Sequence, residues 1–187
     1  MGNKYYTLNV AGLERKLKIC PINENLDIAG FIMFSDVEIT VRTAEELIKK
    51  VPECDVIVTA ESKGIPLAYE MARQLGKKYF VARKSVKLYM SDPISVNVKS
   101  ITTAEMQTLC LDKDEAEQLK GKRVLIADDV ISTGESLNAI RKLVEKAGGN
   151  IVGQCAVLAE GDAGDRDDII YLERLPLFFK ETPQRGI

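Results

Sequence analysis

The chain has 187 residues, 45% of them hydrophobic and 29% charged. That balance suits an ordinary soluble globular protein, one domain over 1–187 whose core is large enough to need neither disulfides nor a structural metal. A formal net charge of −2 leaves no cationic footprint for general nucleic-acid binding, and the absence of histidine excludes a histidine triad or a histidine general base.

Along the chain, the first signal is partial two-residue alternation over 6–19 around Ala11-Gly12, which predicts a small hairpin. Residues 23–36 mix turn formers with Ile28, Phe31, Ile32, Met33 and Phe34 and read as an irregular, partly buried loop. Helical spacing follows over 37–51. From residue 55 the pattern is regular: an apolar strand at 56–58, a helix at 65–75 ended by Gly76, and a second strand at 79–82 that delivers Arg83 and Lys84. A long polar insertion, 85–111, holds two weak strand patterns, and 113–119 reads as a short helix. A strand at 123–127, a loop at 128–135 and a helix at 136–147 form the clearest unit. Further strands are expected at 151–158 and 169–172.

Strand, helix and strand in repetition predict an α/β fold with a mainly parallel sheet flanked by helices, whose ligands sit beyond the carboxyl ends of the strands. Cys20, Cys54, Cys110 and Cys155 show no C-x-x-C spacing and read as reduced, largely buried thiols. No apolar run approaches the ~18 residues of a membrane span. Residues 1–6 carry no signal-peptide core, so a cytoplasmic chain is expected.

The chemistry concentrates in Val124-Leu125-Ile126-Ala127-Asp128-Asp129-Val130-Ile131-Ser132-Thr133-Gly134-Glu135-Ser136. A hydrophobic strand delivers two adjacent carboxylates, and a hydroxyl-rich turn with one glycine opens a helix. The helix N-terminus offers unpaired amides to a phosphate, Ser132, Thr133 and Ser136 add hydroxyl donors, and Gly134 permits close backbone approach. The two aspartates suit the vicinal hydroxyls of a ribose, so the unit would hold a ribose 5-phosphate. It is not a Walker A loop, because the G-x-x-x-x-G-K-[ST] spacing is absent. The acidic run at 160–168 lacks the alternation of a calcium loop and reads as a solvated turn.

This stretch resembles the signature of the type I phosphoribosyltransferases, which bind phosphoribosyl pyrophosphate (PRPP). The resemblance covers 28–175 and is densest at 56–84 and 123–145. It implies a hood-like lobe at 1–50 and a PRPP-binding core at 55–175. The 5-phosphate would lie on Ile131, Ser132, Thr133, Gly134, Glu135 and Ser136. Pyrophosphate would lie on Glu61, Ser62, Lys63, Gly64, Arg83, Lys84, Lys87 and Tyr89. Asp128, Asp129 and Lys84 would be catalytic, and the aspartates would hold Mg²⁺, directly or through water. Phe31 or Phe34 would meet the base.

The resemblance is to the adenine and xanthine branch, with PRPP and a purine as partners, no nucleic acid, no membrane and a homodimer as the expected assembly. Residues 29–36 look like a loose version of the G-x-x-F-R-D stretch of adenine phosphoribosyltransferase hoods, with Ser35 in place of arginine. The Glu-Tyr-Gly element of their mobile loop is not intact in Thr103-Ala104-Glu105-Met106-Gln107-Thr108, so Glu105 is not carried over as a catalytic acid. The implied reaction joins adenine to the phosphoribosyl group with release of pyrophosphate. Xanthine or guanine as the base, a PRPP-sensing regulator and a non-catalytic PRPP-binding relative are the alternatives. The regulator would need a winged-helix domain, for which 1–50 is too short and too little basic.

Overall fold

The computed structural model describes residues 4–99 and 106–180. Two strands, β1 (Tyr5–Val10) and β2 (Leu13–Pro21), form the expected hairpin. Its turn places both Ala11 (φ 53) and Gly12 (φ 77) in the left-handed region, as a two-residue hairpin connection requires. The stretch expected to be an irregular loop instead contains a strand, β3 (Leu26–Gly30). Its strand character comes from tertiary pairing: Lys18↔Gly30 through Pro21↔Asp27 on one side, and a late strand on the other.

Helix α1 (Val37–Ile48) starts where Asp36 accepts a hydrogen bond from the Ile39 amide. Strand β4 (Val56–Ala60), helix α2 (Ile65–Leu75) and strand β5 (Lys78–Ala82) follow as predicted, with Gly76 in the left-handed conformation closing α2. The insertion contains an antiparallel pair, β6 (Ile94–Lys99) and β7 (Met106–Leu111); Glu105 lies outside the described residues. Helix α3 (Lys113–Leu119) carries an Asp112/Glu115 capping box.

Strand β8 (Arg123–Ile131) is longer than the sequence suggests. The loop expected from residue 128 starts four residues later, because Asp128, Val130 and Ile131 continue the parallel ladder with Ala156, Leu158 and Ala159. Helix α4 (Glu135–Lys146) and strands β9 (Asn150–Glu160), β10 (Ile170–Leu175) and β11 (Leu177–Phe179) complete the order, with a short 3₁₀ turn at Gly161–Asp165. Pairing of β11 with β3 was not anticipated.

The strands form a five-stranded parallel sheet, β10-β9-β8-β4-β5, and a four-stranded antiparallel sheet, β1-β2-β3-β11. Alternate residues of the parallel strands feed two cores. Ile57 and Leu125 pack with α1 and α2, whereas Val58 and Ile126 pack with α4 and the β6–β7 pair. A parallel sheet covered on both faces explains why β4 and β8 read as unbroken apolar runs. Cys54, Cys110 and Cys155 are buried and Cys20 half-buried, all as free thiols. No helix among the described residues is long and apolar enough to cross a membrane.

Candidate active site

The carboxyl ends of β4, β8 and β9 lie side by side, and a cleft of about 400 Å³ opens above them. Its walls include Ser62 and Lys63 from the loop after β4, Asp128 and Asp129 near the tip of β8, Glu160 at the end of β9, and residues 28–32 from β3 and its continuation. The parallel sheet therefore supplies polar chemistry and the antiparallel sheet supplies a largely apolar lip.

Asp129 is buried, 2% exposed, and its Oδ2 has no hydrogen-bond partner among the described residues; Lys63 Nζ approaches it to 3.4 Å. Asp128 Oδ1 accepts a hydrogen bond from the Asp129 amide at 2.9 Å. Burial, reinforced by the adjacent Asp129 carboxylate, pushes the Asp128 carboxyl up to about 8. Of this pair, Asp129 Oδ2 is the buried oxygen left without a hydrogen-bond donor.

The loop after β8 surrounds a smaller hollow of about 50 Å³ bordered by residues 130–137. Ser132, Thr133 and Ser136 are exposed there. Helix α4 begins behind Gly134 with no side-chain cap on its first turn, which suits an anionic ligand. Gly134 has φ 80, and a Cβ on it would sit 2.6 Å from Arg166 Nη1. Gly64 is constrained for a different reason: a Cβ there would meet Thr59 Oγ1 at 2.5 Å and Asp128 Oδ1 at 2.8 Å. Only glycine lets the loop after β4 lie this close to the tip of β8.

Glu61 turns away from the cleft towards the end of β5. Its Oε2 accepts from the Lys84 amide at 3.1 Å and lies 3.7 Å from Lys87 Nζ, while its Oε1 lies 3.6 Å from Arg83 Nη1. The Lys84 amide, then the nearby cations, hold the Glu61 carboxyl below the usual carboxylate range against a desolvation cost. Arg83 also donates to the Tyr89 hydroxyl at 2.9 Å, and its backbone is bonded in both directions to Cys110.

The expected site residues therefore fall into three neighbourhoods. Ser62, Lys63, Asp128, Asp129, Ser132 and Ser136 share the cleft; Ile131, Thr133, Gly134 and Glu135 line the smaller hollow; Arg83, Lys84, Lys87 and Tyr89 gather through Glu61. Phe31 lines the cleft although its ring is buried. Phe34 does not reach it, and lines a separate groove with Val37 and Tyr69. Glu160, read from sequence as the start of a solvated turn, instead ends β9 inside the cleft, and burial raises its carboxyl. The available signal was an acid at the tip of a strand parallel to β8. Of the acids that follow, Asp165 is engaged by Arg174 and Asp168 by Arg166, each at 2.8 Å.

Among the described residues no cluster of three or more His, Cys, Asp or Glu could cage a metal. Two carboxyl groups with one partnerless buried oxygen fit a magnesium ion that keeps water and substrate oxygens as most of its ligands.

Residues 35–180 match the phosphoribosyl transferase domain family. The adenine phosphoribosyltransferase of Rhodococcus jostii (strain RHA1) is 35% identical over 136 residues, 72% of this chain and 74% of that protein. The xanthine phosphoribosyltransferase of Bacillus thuringiensis (strain Al Hakam) is 39% identical over 98 residues, 52% of this chain and 49% of that protein. The purine biosynthesis transcriptional repressor PurR of Bacillus subtilis (strain 168) is 34% identical over 113 residues, 60% of this chain and 39% of the repressor. In three dimensions, adenine phosphoribosyltransferase from Thermoanaerobacter pseudethanolicus superposes with a TM-score of 0.71 at 24% identity, over 84% of this chain and 95% of that one. The Saccharomyces cerevisiae enzyme, solved with an iminoaltritol bisphosphate and adenine, gives 0.67 at 23% identity, over 84% and 92% of the two chains. The chain belongs to the phosphoribosyltransferase family. Within it, the chain is a type I member of the purine branch, an enzyme of the glycosyltransferase class.

Proposed function

We propose that this chain transfers the 5-phosphoribosyl group of PRPP to adenine, releasing pyrophosphate, in purine salvage. The observation that carries the reading is the meeting of Asp128, Asp129 and Lys63 in one cleft that adjoins the uncapped start of α4. In this reading the 5-phosphate sits in the hollow, held by the hydroxyls of Ser132, Thr133 and Ser136 and by backbone from Ile131 to Ser136. Asp128 and Asp129 accept from the ribose hydroxyls and fix the anomeric carbon relative to the base. The loop at 62–64 and the cations Lys63, Arg83, Lys84 and Lys87 face the leaving pyrophosphate, with Lys84 closest in role to a catalytic cation. Mg²⁺, held with PRPP by Asp128 and Asp129 directly or through water, would neutralise the leaving group's charge. The lobe 1–50 serves as a hood over the base and 55–175 as the PRPP-binding core. In that hood the base lies along 28–32 beside Phe31, and the insertion at 85–111 excludes water from the cleft.

The same proposal includes a cytoplasmic homodimer. The exposed apolar side chains Phe34, Val37 and Tyr69 offer a surface for a second copy. Light scattering on the purified chain gives its mass directly. The activity is tested by following pyrophosphate release from PRPP and Mg²⁺ with adenine, guanine, hypoxanthine and xanthine supplied separately. Release with adenine alone is expected. Release with xanthine or guanine instead would move the substrate, and PRPP binding without release would favour a non-catalytic relative.

A further inference from the structure

We infer that Glu61 is a positioning residue that serves as an internal counter-anion to the cations of the pyrophosphate subsite, so that pyrophosphate must displace its carboxylate in order to bind. The inference rests on the pyrophosphate assignment above and changes the role of one of its members. An ionised carboxylate has only acceptor oxygens, as does fully ionised pyrophosphate with Mg²⁺, so the two cannot bond each other and must compete for the same donors.

The geometry shows that competition already set up. One carboxylate spans Arg83 Nη1 at 3.6 Å and Lys87 Nζ at 3.7 Å, while the Lys84 amide fixes its Oε2 at 3.1 Å. The two ion-pair distances are long for charge-assisted hydrogen bonds, which leaves both cations free to turn to a stronger anion. Arg83 is further held by the Tyr89 hydroxyl, so the guanidinium does not depend on Glu61 alone for its place. Without a nearby negative charge, Arg83 and Lys87 would repel each other in the empty site. Glu61 thus keeps them together before PRPP arrives and weakens the grip on pyrophosphate once it is formed.

The test is calorimetric titration of inorganic pyrophosphate, with Mg²⁺, into the full-length chain and its Glu61→Gln and Glu61→Asp variants. Glutamine keeps an acceptor for the Lys84 amide but removes the charge, and should bind pyrophosphate roughly 3- to 10-fold more tightly, as expected for a partly exposed ion pair. Aspartate keeps the charge and should stay within about 2-fold of the parent, because the ion pairs are already loose. In turnover, Glu61→Gln should lower kcat and the KM for PRPP together, a split that a merely structural role would not give. If the glutamine variant melts early, Glu61→Ser replaces it with the same expected direction. Unchanged or weaker pyrophosphate binding without the charge, or an aspartate variant that shifts as far as the glutamine one, overturns the inference. Failure of the parent chain to bind pyrophosphate would instead overturn the functional reading on which it rests.

Discussion

Lys63 Nζ lies 3.4 Å from Asp129 Oδ2, joining the loop after β4 to a carboxylate that is almost entirely buried near the tip of β8. The pair is unequal, since the lysine remains half exposed in the cleft while the aspartate has no hydrogen-bond partner for that oxygen. Lys63 is thereby placed between the ribose side and the pyrophosphate side of the proposed site. Replacing it by methionine should lower kcat/KM for PRPP by roughly 100-fold, the scale of losing one charge-stabilising donor. Steady-state kinetics with PRPP as the varied substrate checks this; a loss under about 3-fold would take Lys63 out of the reaction.

Gly134 combines a left-handed backbone with a neighbour, Arg166, that occupies the space a side chain would need. A Gly134→Val variant should lose about 1–2 kcal/mol of stability from the backbone alone. It should also fail to bind PRPP in a calorimetric titration while retaining a cooperative melt. Unchanged PRPP affinity would remove the loop after β8 from the site.

The raised Asp128 carboxyl gives a stability prediction with a definite sign. A carboxyl near pKa 4 in the unfolded chain and about 8 in the folded one favours the unfolded state increasingly as pH climbs through that window. Asp128→Asn keeps the acceptor for the Asp129 amide and removes the cost. Its Tm should exceed that of the parent by a few degrees at pH 8, with the advantage shrinking towards pH 5, while turnover falls by orders of magnitude. A Tm difference that does not depend on pH would contradict the burial argument.

Asp36 carries the opposite sign. Its bond to Arg15 at 2.7 Å, with the Ile39 amide as a further donor, holds its carboxyl below the ordinary value despite partial burial. Its contribution is present above about pH 4 and is lost as pH falls below that. Asp36→Ala should cost about 1–2 kcal/mol in urea unfolding at pH 7, the scale of a lost N-cap. The difference between the two proteins should narrow as pH falls below about 4.

The parts of the fold legible in the sequence are those whose signal is local. Helix α2 shows its apolar spacing over eleven residues with a glycine directly after them, and the structure reproduces its bounds. Strand β3 has no such signal, because Leu26–Gly30 becomes a strand only through partners at 18–21 and 177–179. The same holds at the end of β8, where acids and turn formers suggest a loop but the β9 ladder keeps the chain extended through Ile131. At the candidate site, the motif after β8 and the loop after β4 were readable because glycine, hydroxyls and charges sit at strand ends. Glu160 was read as part of a solvated turn because its place in the cleft depends on strand order, and Phe34 lies outside the cleft because its direction depends on how the chain leaves β3.

The pairing of β3 with β11 has a consequence for how the protein is made. Residues 28–32, which edge the cleft, are synthesised early, yet the Ile28↔Leu177 rung waits until about 150 further residues have been translated. The smaller hollow at 130–137 depends on nearer partners, the β9 ladder at 156–159 and Arg166 beside Gly134. In order of synthesis, the hollow proposed for phosphate gains its partners first, and the lip proposed for the base is fastened last.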